Sequence, residues 1–73
     1  MNPHLQLPAL SERETEVLQQ LGRGKSNAEI AHALHLAPGT VKIHLGSIMA
    51  KWDVRDRVQV VLLAAKAGLI RLS

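Results

Sequence analysis

The chain has 73 residues, no cysteine, a single aromatic residue and a formal net charge of +3. A domain this small is near the limit for one self-sufficient core, and without cysteine neither a disulfide nor a thiolate metal site can staple it. No apolar run approaches the roughly 20 residues that span a bilayer, and the N-terminus lacks the charged region and apolar run of a signal peptide, so a soluble cytoplasmic module is expected.

Charge is unevenly placed along the chain. Residues 1–40 hold three Lys or Arg against four Glu, a net −1, whereas residues 41–73 hold six against two Asp, a net +4. A basic half suits a phosphate backbone, although a solvated face would have the same composition.

In chain order, residues 1–8 contain Pro3 and Pro8 and no clear period, and read as a linker or disordered arm. Ser11 offers an N-cap with Glu14 as its capping-box partner, and Leu10 is placed as a hydrophobic staple. Val17, Leu18 and Leu21 form one apolar stripe, and Gly24 supplies the left-handed end of this first helix. Ser26 and Glu29 repeat the capping box and open a second helix of about two turns, with Ile30, Ala31 and Leu34 inward.

His35-Leu36-Ala37 reads as a turn, and Pro38 suits the first position of a third helix, where its missing N–H costs nothing. That helix is predicted over residues 38–52, with Val41, Leu45, Ile48 and Trp52 as its buried stripe. Asp56 can cap a fourth helix over residues 56–67, which Gly68 closes, and the residues after it trail off. The expected fold is all-α, a four-helix bundle with a central helix-turn-helix over residues 9–70 and a tail at 71–73. A helix-turn-helix places its second helix in the major groove of DNA.

The outer face of the third helix carries Gly39, Lys42, Ile43, Gly46, Ser47 and Ala50. Lys42 can donate to guanine or to a phosphate, and Ile43 can touch a thymine methyl. Packing at the core edge is the alternative for Ile43. Thr40 in the first turn, Lys51 in the last and Asn27 at the start of the second helix are candidate phosphate contacts, with Lys25 beside Asn27. His44 adjoins the same face, and either orients on the nucleic acid or serves the fold.

His32-x-x-His35 invites a metal site, but no cysteine or nearby carboxylate completes a tetrahedral set, so no metal or other cofactor is expected. No nucleophile–base cluster, glycine-rich phosphate loop or paired carboxylate is visible, so no enzyme is expected. The fourth helix is apolar nearly all round. Val58, Val61, Leu62 and Ala65 are expected to face the core, leaving Val60, Leu63, Ala64 and Ala67 as a second stripe for a two-fold homodimer. Docking of a protein partner on that helix is the rival reading; a membrane-active peptide is disfavoured because capped helices with core stripes specify a packed domain.

Leu10-Ser11-x-Arg13-Glu14-x-Glu16-Val17-Leu18, Gly24-Lys25-Ser26-Asn27-x-Glu29-Ile30-Ala31 and Thr40-Val41-Lys42-Ile43-His44 with Ile48, Lys51 and Val54 resemble the LuxR-type (GerE- or FixJ-type) DNA-binding domain. Arg55-x-Arg57 fits as well. The resemblance implies a tetrahelical transcription-factor domain that binds double-stranded DNA and dimerises through its last helix. It implies base contacts from Gly39, Lys42, Ile43 and Gly46, and phosphate contacts from Thr40 and Lys51. The segments at 49–51, 55–57 and 65–70 look most like two-component response regulators, whose N-terminal receiver domain and RNA polymerase would be further partners. Four residues depart from the family pattern, among them Gly39 and Gly46 in place of long polar side chains and Ala37 in place of a hydroxyl cap. Trp52 replaces the usual Leu and is expected to enlarge the core.

Overall fold

The computed structural model describes residues 6–71. Four helices follow one another, α1 (Glu12–Gly22), α2 (Asn27–Leu34), α3 (Pro38–Trp52) and α4 (Arg57–Lys66), and no strand occurs among the described residues. The all-α, four-helix expectation is met, with helix ends within one or two residues of those read from caps.

Both capping boxes form. Ser11 accepts from the Glu14 amide at 3.1 Å while the Glu14 carboxylate accepts from the Ser11 amide at 2.7 Å. Ser26 and Glu29 do the same at 3.2 and 2.8 Å. Each pair satisfies two amides that an α-helix leaves without a partner at its start. Glu29 lies at the surface, and the Ser26 amide and hydroxyl hold its carboxyl below the usual range. Gly24 has φ of +80°, the left-handed conformation that ends α1. Asp56 caps α4 by accepting from the Gln59 amide at 2.9 Å.

One core joins the helices. Val17, Leu18 and Leu21 of α1, Ile30 and Ala31 of α2, and Val41, Leu45, Ile48 and Trp52 of α3 are buried together. From α4, Val60 and Ala64 enter this core with no exposed surface, while Val58 is 62% and Leu62 51% exposed. Val61 and Ala65 pack against the core as expected, but Val58 and Leu62 do not, and Val60 and Ala64 are core residues, so they cannot form a dimer face. Leu63 and Ala67 are only half-exposed, and Leu63 packs against the core. Because the helix is apolar nearly all round, its pattern could not choose between two stripes rotated against each other.

The two chain ends also depart from expectation. Residues 1–5 of the expected arm lie outside the described residues, but Leu7 packs on the core beside Leu10, and the Trp52 indole N–H donates to the Pro8 carbonyl at 3.0 Å. After Gly68, at φ +75°, the chain folds back instead of trailing off. The Leu69 carbonyl accepts from Gln19 Nε2 at 2.7 Å, and Ile70 is buried against α1. Between these ends Pro8, Leu10, Trp52 and Leu69 line an apolar cleft of about 230 Å³. Residue 71 of the expected tail is exposed, and 72–73 lie outside the described residues.

Candidate nucleic-acid interface

The turn between α2 and α3 is built around His35, which takes the left-handed conformation at φ 56°. The Leu36 amide then donates to the Ala31 carbonyl at 2.8 Å, closing the helix and aiming the chain at Pro38. Ala31 is buried, and its small side chain lets α3 cross α2 closely. Ala37 makes no side-chain hydrogen bond to α3, whose first turn is set by Pro38 and by the amides of Thr40 and Val41 on the Ala37 carbonyl at 3.0 and 3.2 Å.

With Val41, Leu45, Ile48 and Trp52 inward, α3 presents Gly39, Lys42, Ile43, Gly46 and Ala50 outward. Ile43 is 71% exposed, which excludes the alternative that it packs at the core edge. Lys42 beside it has no carboxylate within ion-pair distance among the described residues. No acidic residue occurs anywhere in Pro38–Trp52. Thr40 and His44 are half-buried along the flank of this face. Neither Gly39 nor Gly46 has any atom within 4 Å of where a Cβ would stand, so packing within the domain does not require glycine at either position.

The remaining sequence candidates are engaged inside the domain. Lys51 Nζ lies 2.5 Å from Oε1 of Glu14. The other carboxylate oxygen of Glu14 accepts from the Ser47 hydroxyl. The Glu14 side chain is 5% exposed. The Lys51 ammonium foremost, then the Ser47 hydroxyl and the Ser11 amide, hold its carboxyl down at about 2 against a desolvation that raises it.

Asn27 Oδ1 accepts from Arg57 Nη1 at 3.0 Å, and the same guanidinium donates to the Lys25 carbonyl at 2.9 Å. Lys25 Nζ in turn donates to Gln20 Oε1 at 2.5 Å. Sequence reasoning treated Glu14 only as a capping residue and Ser47 only as part of the outer face. It gave Arg57 no partner. Nothing adjacent to Arg57 in the sequence identifies its acceptors, which lie 30 and 32 residues away.

The family model described as bacterial regulatory proteins, luxR family, matches residues 8–64. The transcriptional regulatory protein LnrK of Bacillus subtilis (strain 168) is 47% identical over 60 residues, covering 82% of this chain and 27% of that protein. The response regulator protein VraR of Staphylococcus aureus (strain Mu3 / ATCC 700698) is 45% identical over 62 residues, covering 85% of this chain and 30% of that protein. The chain therefore spans less than a third of the length of these curated relatives. Among solved structures, the transcription factor GerE superposes with a TM-score of 0.80 at 31% identity, over 88% of this chain and 96% of that one. The response regulator ChrA of a heme-sensing two-component system superposes with a TM-score of 0.79 at 38% identity, over 93% of this chain and 34% of that one.

Proposed function

The chain belongs to the luxR family of bacterial regulatory proteins, and from that premise we propose that it binds double-stranded DNA sequence-specifically and regulates transcription as the effector domain of a response regulator. The observation that carries this reading is the outward face of α3, where Lys42 and a 71%-exposed Ile43 stand side by side on a helix without a single acid. An exposed ammonium matches guanine or phosphate oxygens, and an exposed β-branched side chain matches a thymine methyl.

In this reading α3 enters the major groove. Lys42 and Ile43 read base edges, and the Gly39 and Gly46 positions bring the backbone near the groove floor. Thr40 and His44 face the flanking phosphates, and Asn27, its Oδ1 held by Arg57, has its amide nitrogen to offer one. Two copies pair through α4, using Val58 and Leu62, and so address two half-sites about one DNA turn apart. A receiver domain in a longer protein supplies control, and RNA polymerase is the machinery acted upon, in the bacterial cytoplasm.

The test is fluorescence-anisotropy binding to a random-sequence duplex pool over a salt series, followed by sequencing of the bound fraction, with Lys42→Ala alongside. Binding that weakens steeply with salt through counterion release, a two-fold symmetric motif and loss of affinity in Lys42→Ala are expected. Failure to bind even at low salt overturns the reading. Capture of a protein by α4 that is indifferent to salt would favour the docking alternative.

A further inference from the structure

Lys51 matches a family position for phosphate contact, yet in this chain its ammonium is already bound. We propose that Lys51, together with Glu14 and Ser47, is a positioning residue that fixes the rotation of α3 in the groove, and that it contributes no phosphate contact of its own. The inference rests on the DNA-reading function proposed above.

Three observations lead to it. The Glu14 carboxylate is anchored at its own end, because the capping box of α1 holds it through the Ser11 amide at 2.7 Å. It then meets α3 at two points, the Ser47 hydroxyl and Lys51 Nζ, four residues and so about one turn apart on one face of the helix. Two ties one turn apart on the same face resist both sliding and rotation of a helix, whereas a single tie resists neither well. Lastly, the Glu14 side chain is almost fully enclosed. For Lys51 to swing out to a phosphate it would have to leave a buried carboxylate without its cation, which is strongly unfavourable.

The core holds α3 by its inner stripe, Val41, Leu45, Ile48 and Trp52, and polar ties outside that stripe are few. The start of α3 has no side-chain cap, and Gly46, the residue before Ser47, contributes no side chain to any packing. The Glu14 lock adds two polar ties to that packing, at Ser47 and Lys51, beginning a turn beyond Ile43.

The test measures three chains, wild type, Lys51→Met and Glu14→Gln, each confirmed as folded by circular dichroism at the working temperature. Binding is read by anisotropy on the duplex recovered by selection and on a scrambled duplex, each over a salt series. A positioning role lowers the ratio of specific to non-specific affinity by at least about fivefold in either variant, the lower end of losing one base contact. It leaves the slope of log affinity against log salt on the scrambled duplex unchanged in Lys51→Met.

A phosphate contact would instead lower that slope by about 0.9 in Lys51→Met and weaken both duplexes alike, which overturns the proposal. An unchanged ratio in both folded variants overturns it too, reducing the cluster to structure alone. Should Lys51→Met fail to fold, Glu14→Gln decides by itself. Loss of specificity on freeing the ammonium supports positioning, and equal or tighter binding to both duplexes refutes it. If the wild type binds neither duplex, the DNA reading itself has failed, which is a distinct result.

Discussion

A Cβ added to Gly22 would stand 3.0 Å from Cδ1 of Ile70 and 3.1 to 3.2 Å from two further atoms of the same side chain. Gly22 is the last residue of α1, and Ile70 belongs to the segment that folds back after Gly68. The missing side chain is what allows the C-terminal segment to lie on α1. A Cβ added to Gly46, within α3, would meet nothing within 4 Å beyond its own helix backbone. Gly22→Ala is therefore expected to lower stability by about 1 kcal/mol, since overpacking of roughly 1–3 kcal/mol exceeds a helix-propensity gain of at most ~1 kcal/mol. Gly46→Ala is expected to raise it by about 1 kcal/mol through propensity alone. Urea midpoints that move in opposite directions meet the expectation; two shifts of the same sign refute it.

Glu14 makes stability depend on acid. Its carboxyl titrates at 4.5 when unperturbed and at about 2 in the fold, with the Lys51 ammonium as the chief cause. The folded state holds the proton less readily than the unfolded chain, so the stabilisation is complete above the unfolded value and is lost as pH falls from about 4.5 toward 2. A difference of that size corresponds to about 3 kcal/mol. Urea unfolding near neutrality and near about pH 3 should show wild type losing more stability than Glu14→Gln. Equal losses would mean that other carboxylates carry the acid sensitivity.

Helix ends were legible because each depends on a few adjacent residues. Ser11 with Glu14, Ser26 with Glu29, Gly24 and Pro38 each set a boundary locally. The stripe of α3 was legible because Val41, Leu45, Ile48 and Trp52 stand out from polar and small neighbours. The inward stripe of α4 was not, since Val60 and Val61, or Leu62 and Leu63, are chemically interchangeable and only packing against α1 and α3 chooses between them. Exposure of Lys42 and Ile43 followed from the period of α3. The engagement of Lys51 and Asn27 did not, because their partners Glu14 and Arg57 lie 37 and 30 residues away. The fold of Pro8 onto Trp52 is likewise a contact between distant positions, 44 residues apart.

That contact gives the third expectation. Trp52 is buried at the end of α3, and its indole N–H has the Pro8 carbonyl at 3.0 Å. Trp52→Phe removes both the hydrogen bond and part of the volume lining the apolar cleft, and should cost about 1–3 kcal/mol. As the single Trp, it also offers a native fluorophore in the wild type. Emission should be blue-shifted in the folded protein and move red on unfolding. Circular dichroism in urea measures the variant, and a midpoint equal to wild type would show that neither the bond nor the volume matters.

The last expectation concerns α4, whose outward stripe is now defined. Val58 and Leu62 lie one turn apart at 62% and 51% exposure, with Val61 and Ala65 half-buried beside them. Val60 and Ala64 hold the opposite face in the core. Charge introduced at the two faces should therefore have different consequences. Leu62→Arg places a guanidinium in water, so the change in stability should stay within about 0.5 kcal/mol. If α4 pairs two copies, it sets two like charges across a two-fold axis and weakens association and binding to a two-half-site duplex. Ala64→Arg forces charge and bulk into the core and should prevent folding. Sedimentation with and without the duplex distinguishes the cases. A folded Leu62→Arg variant that associates and binds the duplex like wild type would remove α4 from the dimer contact.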